Sequence, residues 1–221
     1  MQILVDKPAE MTSFGVVARV RRVLSQKKQV KRVKVGHTGT LDPFATGLLI
    51  LMTEKDTKKC QEFLKLDKVY EATIRLGATS TTGDPEGEIT TTIPETQISE
   101  EEVKKVVQSF HGKITQKLPI YSAVKVNGER AYKLARKGAK VEMPEREVEI
   151  YEIEVLNYEW PYLKIRAHVS SGTYIRTLGE DIGARLGVGG YLTELRRMRI
   201  GEYKIEDAKA LEEVMEEIER G

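Results

Sequence analysis

The chain of 221 residues holds one cysteine, one tryptophan and three histidines. With Cys60 alone there is neither an intrachain disulfide nor a cysteine metal cluster, and a reducing cytoplasm suits it best. His37, His111 and His168 lie far apart, without metal-ligand spacing. No apolar run approaches the roughly 20 residues of a membrane span, and the N-terminus lacks the apolar core of a signal peptide. The sequence has no Gly-x-x-x-x-Gly-Lys-Ser/Thr phosphate loop, no Gly-x-Gly-x-x-Gly after a strand, and no Gly-x-Ser-x-Gly elbow. The common forms of nucleotide hydrolysis, dinucleotide-dependent redox chemistry and serine hydrolysis are thereby set aside. Acid is scarce where it matters most: Asp42 is the only acidic residue between Met11 and Leu51.

What is present is globular, with 40% hydrophobic and 32% charged residues and no low-complexity tract. This length suits one large domain, or one domain with an elaboration, and can bury a substantial core. Net charge is +2, but its distribution is uneven. Arg19, Arg21, Arg22, Lys27, Lys28, Lys31, Arg32 and Lys34 precede Asp42 with no intervening acid, whereas Glu206, Asp207, Glu212, Glu213, Glu216, Glu217 and Glu219 crowd the end. Such segregation predicts one face for a polyanion and another kept away from it. A solvated helix face is the plainer explanation for arginines 19–22 alone, but the positive charge continues to Lys34 and favours phosphate contact.

Periodicity predicts a strand over Gln2–Val5 and a helix capped by Thr12 or Ser13, with Val16, Val17, Val20, Val23 and Leu24 on one face. A helix is expected over Lys55–Leu66. Lys68–Gly77 alternates as a half-buried strand, with Tyr70, Ala72, Ile74 and Leu76 on one face. Residues 78–92 form a polar excursion, and Ser99 with Glu102 opens an amphipathic helix. Glu129–Lys137 is expected as a short helix carrying Tyr132 and Arg136. Between Val148-Ile150 and Tyr151-Ile153-Val155 the apolar phase slips by one residue, which predicts a β-bulge. Tyr162–Val169 alternates as a strand, Ser170-Ser171-Gly172 opens a helix, 188–200 is irregular and extended, and Ile205–Glu219 is a final helix. The expected fold class is α+β: a mixed, mostly antiparallel sheet flanked by helices.

The densest local signal is Gly36-His37-Thr38-Gly39-Thr40-Leu41-Asp42-Pro43-Phe44-Ala45-Thr46-Gly47, followed by the apolar run Leu48–Met52. Three glycines and a proline in 12 residues specify a backbone closely, and the run behind them anchors it in the core. An isolated Asp-Pro is usually a turn opener. A single carboxylate just beyond a basic segment instead suggests a reactive group beside a polyanion. Arg176, in Ser171-Gly172-Thr173-Tyr174-Ile175-Arg176, could pair with a loop carboxylate and favour its charged form.

The run from Gly36 to Leu49 resembles the signature loop of the TruB family of pseudouridine synthases. Asp6-Lys7-Pro8, Lys68-x-Tyr70-x-Ala72, Gln116-x-x-Pro119-x-Tyr121, the Ser171–Arg176 stretch and Leu195-Arg196-Arg197 agree with it, so the resemblance spans Met1 to about Tyr203. It implies the pseudouridine-synthase fold, with a catalytic cleft across the sheet, and isomerisation of the T-loop uridine of tRNA (uridine-55) after base flipping. It implies no cofactor, a tRNA T-arm as partner, no membrane, no obligatory protein partner, and a monomer. By the motif match Asp42 is the catalytic aspartate, attacking the ring or the sugar or removing a sugar proton. Tyr70 resembles the tyrosine that stacks on the uracil, Arg176 the aspartate's partner, His37 the residue that enters the space left by the flipped base, and Leu195 the apolar wall of the pocket. Lys7 and Tyr174 are further pocket candidates, against surface charge and helix-start packing. Arg19, Arg22, Lys31 and Arg32 are the expected phosphate contacts.

The chain departs from the family pattern at Glu10, where glycine is usual, and at Leu118, where a second proline is usual; altered loop shape is the expected consequence. The expected organisation is a single catalytic domain over 1–221, with the polar excursion at about 78–112 and without the family's C-terminal RNA-binding domain of the PUA kind. Three alternatives stand beside this reading. One is a guide-RNA-dependent relative, against which the short chain argues. Another is an RNA-folding factor in which Asp42 is dispensable. The third, an ordinary glycosidase, wants a second carboxylate near the bond that the loop does not supply.

Overall fold

Strand β3 explains the arrangement around it, because its residues 47–53 are buried on both faces. In the computed structural model, which describes residues 1–91, 97–122, 124–126, 129–131 and 142–220, the elements run in this order. β1 (Gln2–Lys7), α1 (Ser13–Lys27), β2 (Val35–His37) and β3 (Thr46–Thr53) come first. A 3-10 turn at Glu54–Lys59 runs into α2 (Cys60–Leu64), then β4 (Lys68–Leu76), β5 (Ala78–Ser80), β6 (Ile89–Thr91), α3 (Glu100–Gln108) and β7 (Gly112–Lys117). β8 (Lys125–Val126), β9 (Glu129–Arg130), β10 (Glu145–Glu159), β11 (Tyr162–Val169) and α4 (Ile175–Arg185) follow. β12 (Gly190–Ile200), β13 (Tyr203–Lys204), a 3-10 turn at Ile205–Asp207, β14 (Lys209–Ala210) and α5 (Leu211–Arg220) complete the chain. Two compact units result: Met1–Glu71 with Leu195–Gly221, and Ala72–Glu194.

In the first unit β3 pairs antiparallel with β1 and β2 and parallel with β12, while β1 also pairs parallel with β14. Alternation sends Leu49 and Leu51 to one side, against Val16, Val17, Val20 and Leu24 of α1 and Leu211 and Val214 of α5. Leu48, Ile50 and Met52 go to the other, against Ile200, Ile205, Phe63 and Leu66. A strand buried on both faces reads as a continuous apolar run, which is why Leu48–Met52 shows no alternation. Thr12 caps α1 by accepting from the Gly15 N–H at 2.9 Å. Cys60 packs into the second cluster, and its thiol is pushed up by burial, as suits a packing side chain.

In the second unit β10 pairs antiparallel with β11 and β7, and β5 with β6. The register along β10–β11 shifts between Ile150 and Glu152, the slip predicted from the apolar phase, and again between Val155 and Asn157. α3, capped by Ser99 through the Glu102 N–H at 3.2 Å, is tied to β10 by the Gln108 amide, which donates to Ile153 O at 2.7 Å. The result is α+β with mostly antiparallel pairing, as expected. No helix among the described residues is long and apolar enough to cross a membrane.

Four local expectations change. Residues 54–59 form a 3-10 turn before the short α2. β12 is a regular 11-residue strand, because its partners supply hydrogen bonds that the sequence alone does not reveal. The final helix begins only at Leu211, since Ala208 is extended and Lys209–Ala210 pair with β1. Glu129-Arg130 pair with β8 as a hairpin, and the rest of the expected helix, with Tyr132 and Arg136, lies outside the described residues.

Candidate active site

The Asp42 loop belongs to the first unit and is held from behind by side chains with hardly any exposed surface. Lys7, at the end of β1, is 0% exposed, and its ammonium donates to Pro8 O at 2.8 Å, Met11 O at 2.5 Å and Pro43 O at 3.1 Å. Burying an ammonium is costly unless it is hydrogen-bonded, so these carbonyls fix both the turn after β1 and the residue following Asp42. Ser13 bridges from the first turn of α1: its hydroxyl donates to Leu41 O at 3.0 Å and accepts from the Leu41 N–H at 2.8 Å. Within the loop the Ala45 N–H donates to Asp42 O at 3.1 Å, closing a turn on the half-buried aspartate.

Arg197 fastens the loop's two ends. It is 1% exposed; its Nε donates to Leu48 O at 2.7 Å and an Nη to Gly39 O at 3.1 Å. Its backbone pairs with Gly47, whose φ is +102° and where a Cβ would lie 2.4 Å from Arg197 O. Only glycine fits so close an approach at that φ. The neighbouring Arg196 forks onto both carboxylate oxygens of Asp6 at 3.1 and 2.7 Å.

Charge shapes this region. His37 Nδ1 accepts from the Gly39 N–H at 3.3 Å, so the proton of the neutral ring sits on Nε2. Burial first, and then the Arg197 guanidinium, hold His37 below its ordinary range. Lys68, tied to Leu64 O at 2.8 Å and to Leu66 O, is lowered to about 8 by burial and by Arg197. Tyr70 is half-buried on β4 and Leu195 is buried at the head of this unit's part of β12.

The second unit presents Arg176 and Tyr174. Arg176, in the first turn of α4, is 4% exposed and forms a buried ion pair with Asp84 at 3.1 Å. It also donates to Thr82 O at 2.9 Å and Tyr121 O at 2.8 Å. Asp84 is itself placed by its turn, taking the Glu86 N–H at 3.0 Å and the Thr82 hydroxyl at 2.5 Å on one oxygen. Beside this pair Glu180 is raised by burial, opposed by Arg176. The buried Gln116 amide brackets Tyr174, accepting from its N–H at 3.0 Å and donating to its carbonyl at 3.2 Å. The Tyr174 ring packs on the cluster of Leu118, Ala131 and Met143.

The residues expected to meet phosphate divide. Arg19 lies 3.8 Å from Glu212 of α5. Arg22, Lys31 and Arg32 are exposed and line a groove of about 520 Å³ at the end of α1. The acidic helix is not kept away from the basic one: α5 packs on α1 through Leu211 and Val214, because its apolar stripe needs that face. Sequence reasoning missed Asp84, Arg197 and Gln116. The motif matches at Gln116 and Leu195-Arg196-Arg197 pointed to two of these without a role, and Asp84 lies within the polar excursion at 78–92.

Two family models match the chain: TruB family pseudouridylate synthase (N terminal domain) over residues 21–175 and tRNA pseudouridylate synthase B C-terminal domain over 176–220. The tRNA pseudouridine synthase B of Phocaeicola vulgatus is 48% identical over 207 residues, covering 94% of this chain and 88% of that one. The protein of the same name from Chlorobaculum tepidum is 44% identical over 219 residues, covering 99% and 90%. Among solved structures, a chain of a Cbf5-Nop10-Gar1 complex superposes with a TM-score of 0.73 at 32% identity over 97% of this chain. A chain of an H/ACA RNP bound to a substrate RNA containing 2'-deoxyuridine does so with 0.71 at 30% identity over 97%. The present chain spans about half the length of those solved chains, 53% and 52%.

Proposed function

Since the chain belongs to the TruB family of pseudouridine synthases, we propose that it isomerises the T-loop uridine of tRNA, uridine-55, to pseudouridine. The observation that carries the proposal is the Asp42 loop, whose ends and centre are fixed by two buried cations, Lys7 and Arg197, and by Ser13. A preset loop presents its carboxylate without reorganising at the moment of reaction. In the overall change the bond from the sugar C1' to N1 breaks, the uracil turns, and C1' joins C5. The C5 proton leaves and N1 gains one, so atoms balance without an oxidant or energy source.

Asp42 is the proposed catalytic carboxylate, Tyr70 the aromatic that stacks on the uracil, and Arg176 the accompanying cation. Stacking returns about 1–3 kcal/mol per base against the few kcal/mol that flipping costs. His37, neutral and with Nε2–H outward from its bond to Gly39, is the proposed filler of the vacated stack, and Leu195 the apolar wall of the pocket. Tyr174 supports the pocket from its apolar cluster, and Lys7 supports it through Pro43. Arg22, Lys31 and Arg32 contact phosphate, whereas Arg19 sits against Glu212. The enzyme is proposed to act as one catalytic domain, as a cytoplasmic monomer without a guide RNA.

The test uses a T-arm stem-loop tritiated at C5 of the target uridine. Wild type should release tritium and Asp42→Asn should not. Release by both would remove Asp42 from its role; release by neither, with tight RNA binding kept, would favour a guide-dependent enzyme or an RNA-folding factor.

A further inference from the structure

The last turns of α1 and the chain that follows them build a groove of about 520 Å³ lined by Arg21, Arg22, Gln26, Gln29, Lys31 and Arg32, with no acid among its lining residues. Its walls are set by the backbone. The Val30 N–H returns to Ser25 O at 3.1 Å, the Val33 N–H donates to the Ser25 hydroxyl at 2.9 Å, and Gln29 takes a φ of +53° to make the turn. The eight cations of the block separate around it. Arg19 faces Glu212 at 3.8 Å and Lys28 is bound to Glu54 at 2.6 Å, both outside the groove. Arg22, Lys31 and Arg32 carry no ion pair among the described residues. Arg21 donates to Val35 O at 3.3 Å and sits 5.5 Å from the exposed Phe14 ring, leaving its buried Nε without a partner among the described residues.

The groove is remote from the reacting nucleotide but on the same unit. Ser13, bonded to Leu41 beside Asp42, and Gln26 are 13 residues apart on one helix, about 20 Å at 1.5 Å per residue. Phosphates along a duplex recur every few ångströms of axis, so that span covers several base-pair steps. Unpaired guanidinium and ammonium groups suit phosphodiesters, and the Gln26 and Gln29 amides suit 2'-hydroxyls.

We propose that this groove is a second RNA site, which binds the sugar-phosphate backbone of the duplex stem flanking the target loop. The proposal rests on the tRNA-modifying reading above and adds to it where the stem is held. Two hairpin RNAs with the same loop, one with a stem of about three base pairs and one of about ten, test it by fluorescence anisotropy. Wild type should bind the longer RNA at least about tenfold more tightly. Arg22→Glu with Arg32→Glu should lose that margin, and the slope of log K against log salt on the longer RNA should fall by about 1.5. Arg22→Gln with Arg32→Gln, a milder pair at exposed positions, should lose part of it. A variant that keeps the full stem-length margin, or that weakens both RNAs equally, overturns the proposal. Binding is read without turnover, so failure of wild type to release tritium counts against the proposed reaction and not against the groove.

Discussion

At the scale of single residues, two buried arginines do what no local pattern announces. Arg197 meets two carbonyls 149 and 158 positions away in sequence. Replacing it with Met would leave Gly39 O and Leu48 O without their donor, at about 1–3 kcal/mol each. Arg197→Met is therefore expected to lower kcat by about 100-fold, with KM changing much less, because a loop displaced by an ångström misplaces its carboxylate. A second readout separates charge from packing. Burial, and then Arg197, hold His37 below the 6.5 of an ordinary imidazole, so its ring should stay neutral down through that pH and titrate only in more acid solution. In Arg197→Met the midpoint, followed by NMR of the ring, should rise toward 6.5; in Arg197→Lys, which keeps the charge, it should stay low. A His37 midpoint indifferent to Met would contradict the electrostatic part of this account. For Arg176 the corresponding probe is Asp84→Ala, expected to cost about 3 kcal/mol in urea unfolding, the scale on which loss of one member of a buried pair is felt.

Among the elements, β3 and β12 carry the site. Their parallel contact brings Gly47 under the backbone of Arg197, and a Cβ there would be 2.4 Å from Arg197 O at a φ of +102°. Gly47→Ala is expected to destabilise the protein by about 2 kcal/mol or more, measurable as a lower urea midpoint at unchanged m, with activity falling further than stability explains. α1 matters in a different way, with Thr12 capping it, Ser13 gripping Leu41 and Ser25 shaping the groove at its far end. Thr12→Ala should cost about 1 kcal/mol, the usual loss for an N-cap. The burial period of α1 was legible because five aliphatic side chains repeat at helical spacing. Strand β12 was less so, since it mixes Arg196, Arg197 and Arg199 among apolar residues, and only burial decides which of them turns inward.

For the whole molecule, a net charge of +2 conceals a basic helix and an acidic helix packed side by side in one unit. The acidic α5 packs on α1, so its carboxylates reduce the potential that phosphate meets there. Glu212→Gln with Glu216→Gln should raise RNA affinity severalfold at low salt, with the gain fading as the Debye length shrinks to about 8 Å at physiological ionic strength. An equal gain at all salt concentrations would point to a packing effect instead.

The sequence by itself determined the family, the α+β class, the bulge in β10, the start of α1 at Thr12-Ser13 and the Asp42 loop. These are written in contiguous residues, as a motif or a period, and local stereochemistry suffices to express them. Tertiary structure alone decided that Lys7 turns inward to three carbonyls, that Arg176 pairs with Asp84, that Arg197 fastens the loop, and that Arg22, Lys31 and Arg32 share a groove while Arg19 faces an acid. In sequence a cation is only a charge. Its role is fixed by whether folding leaves it in water or takes it where a carbonyl or carboxylate must replace the water it has lost.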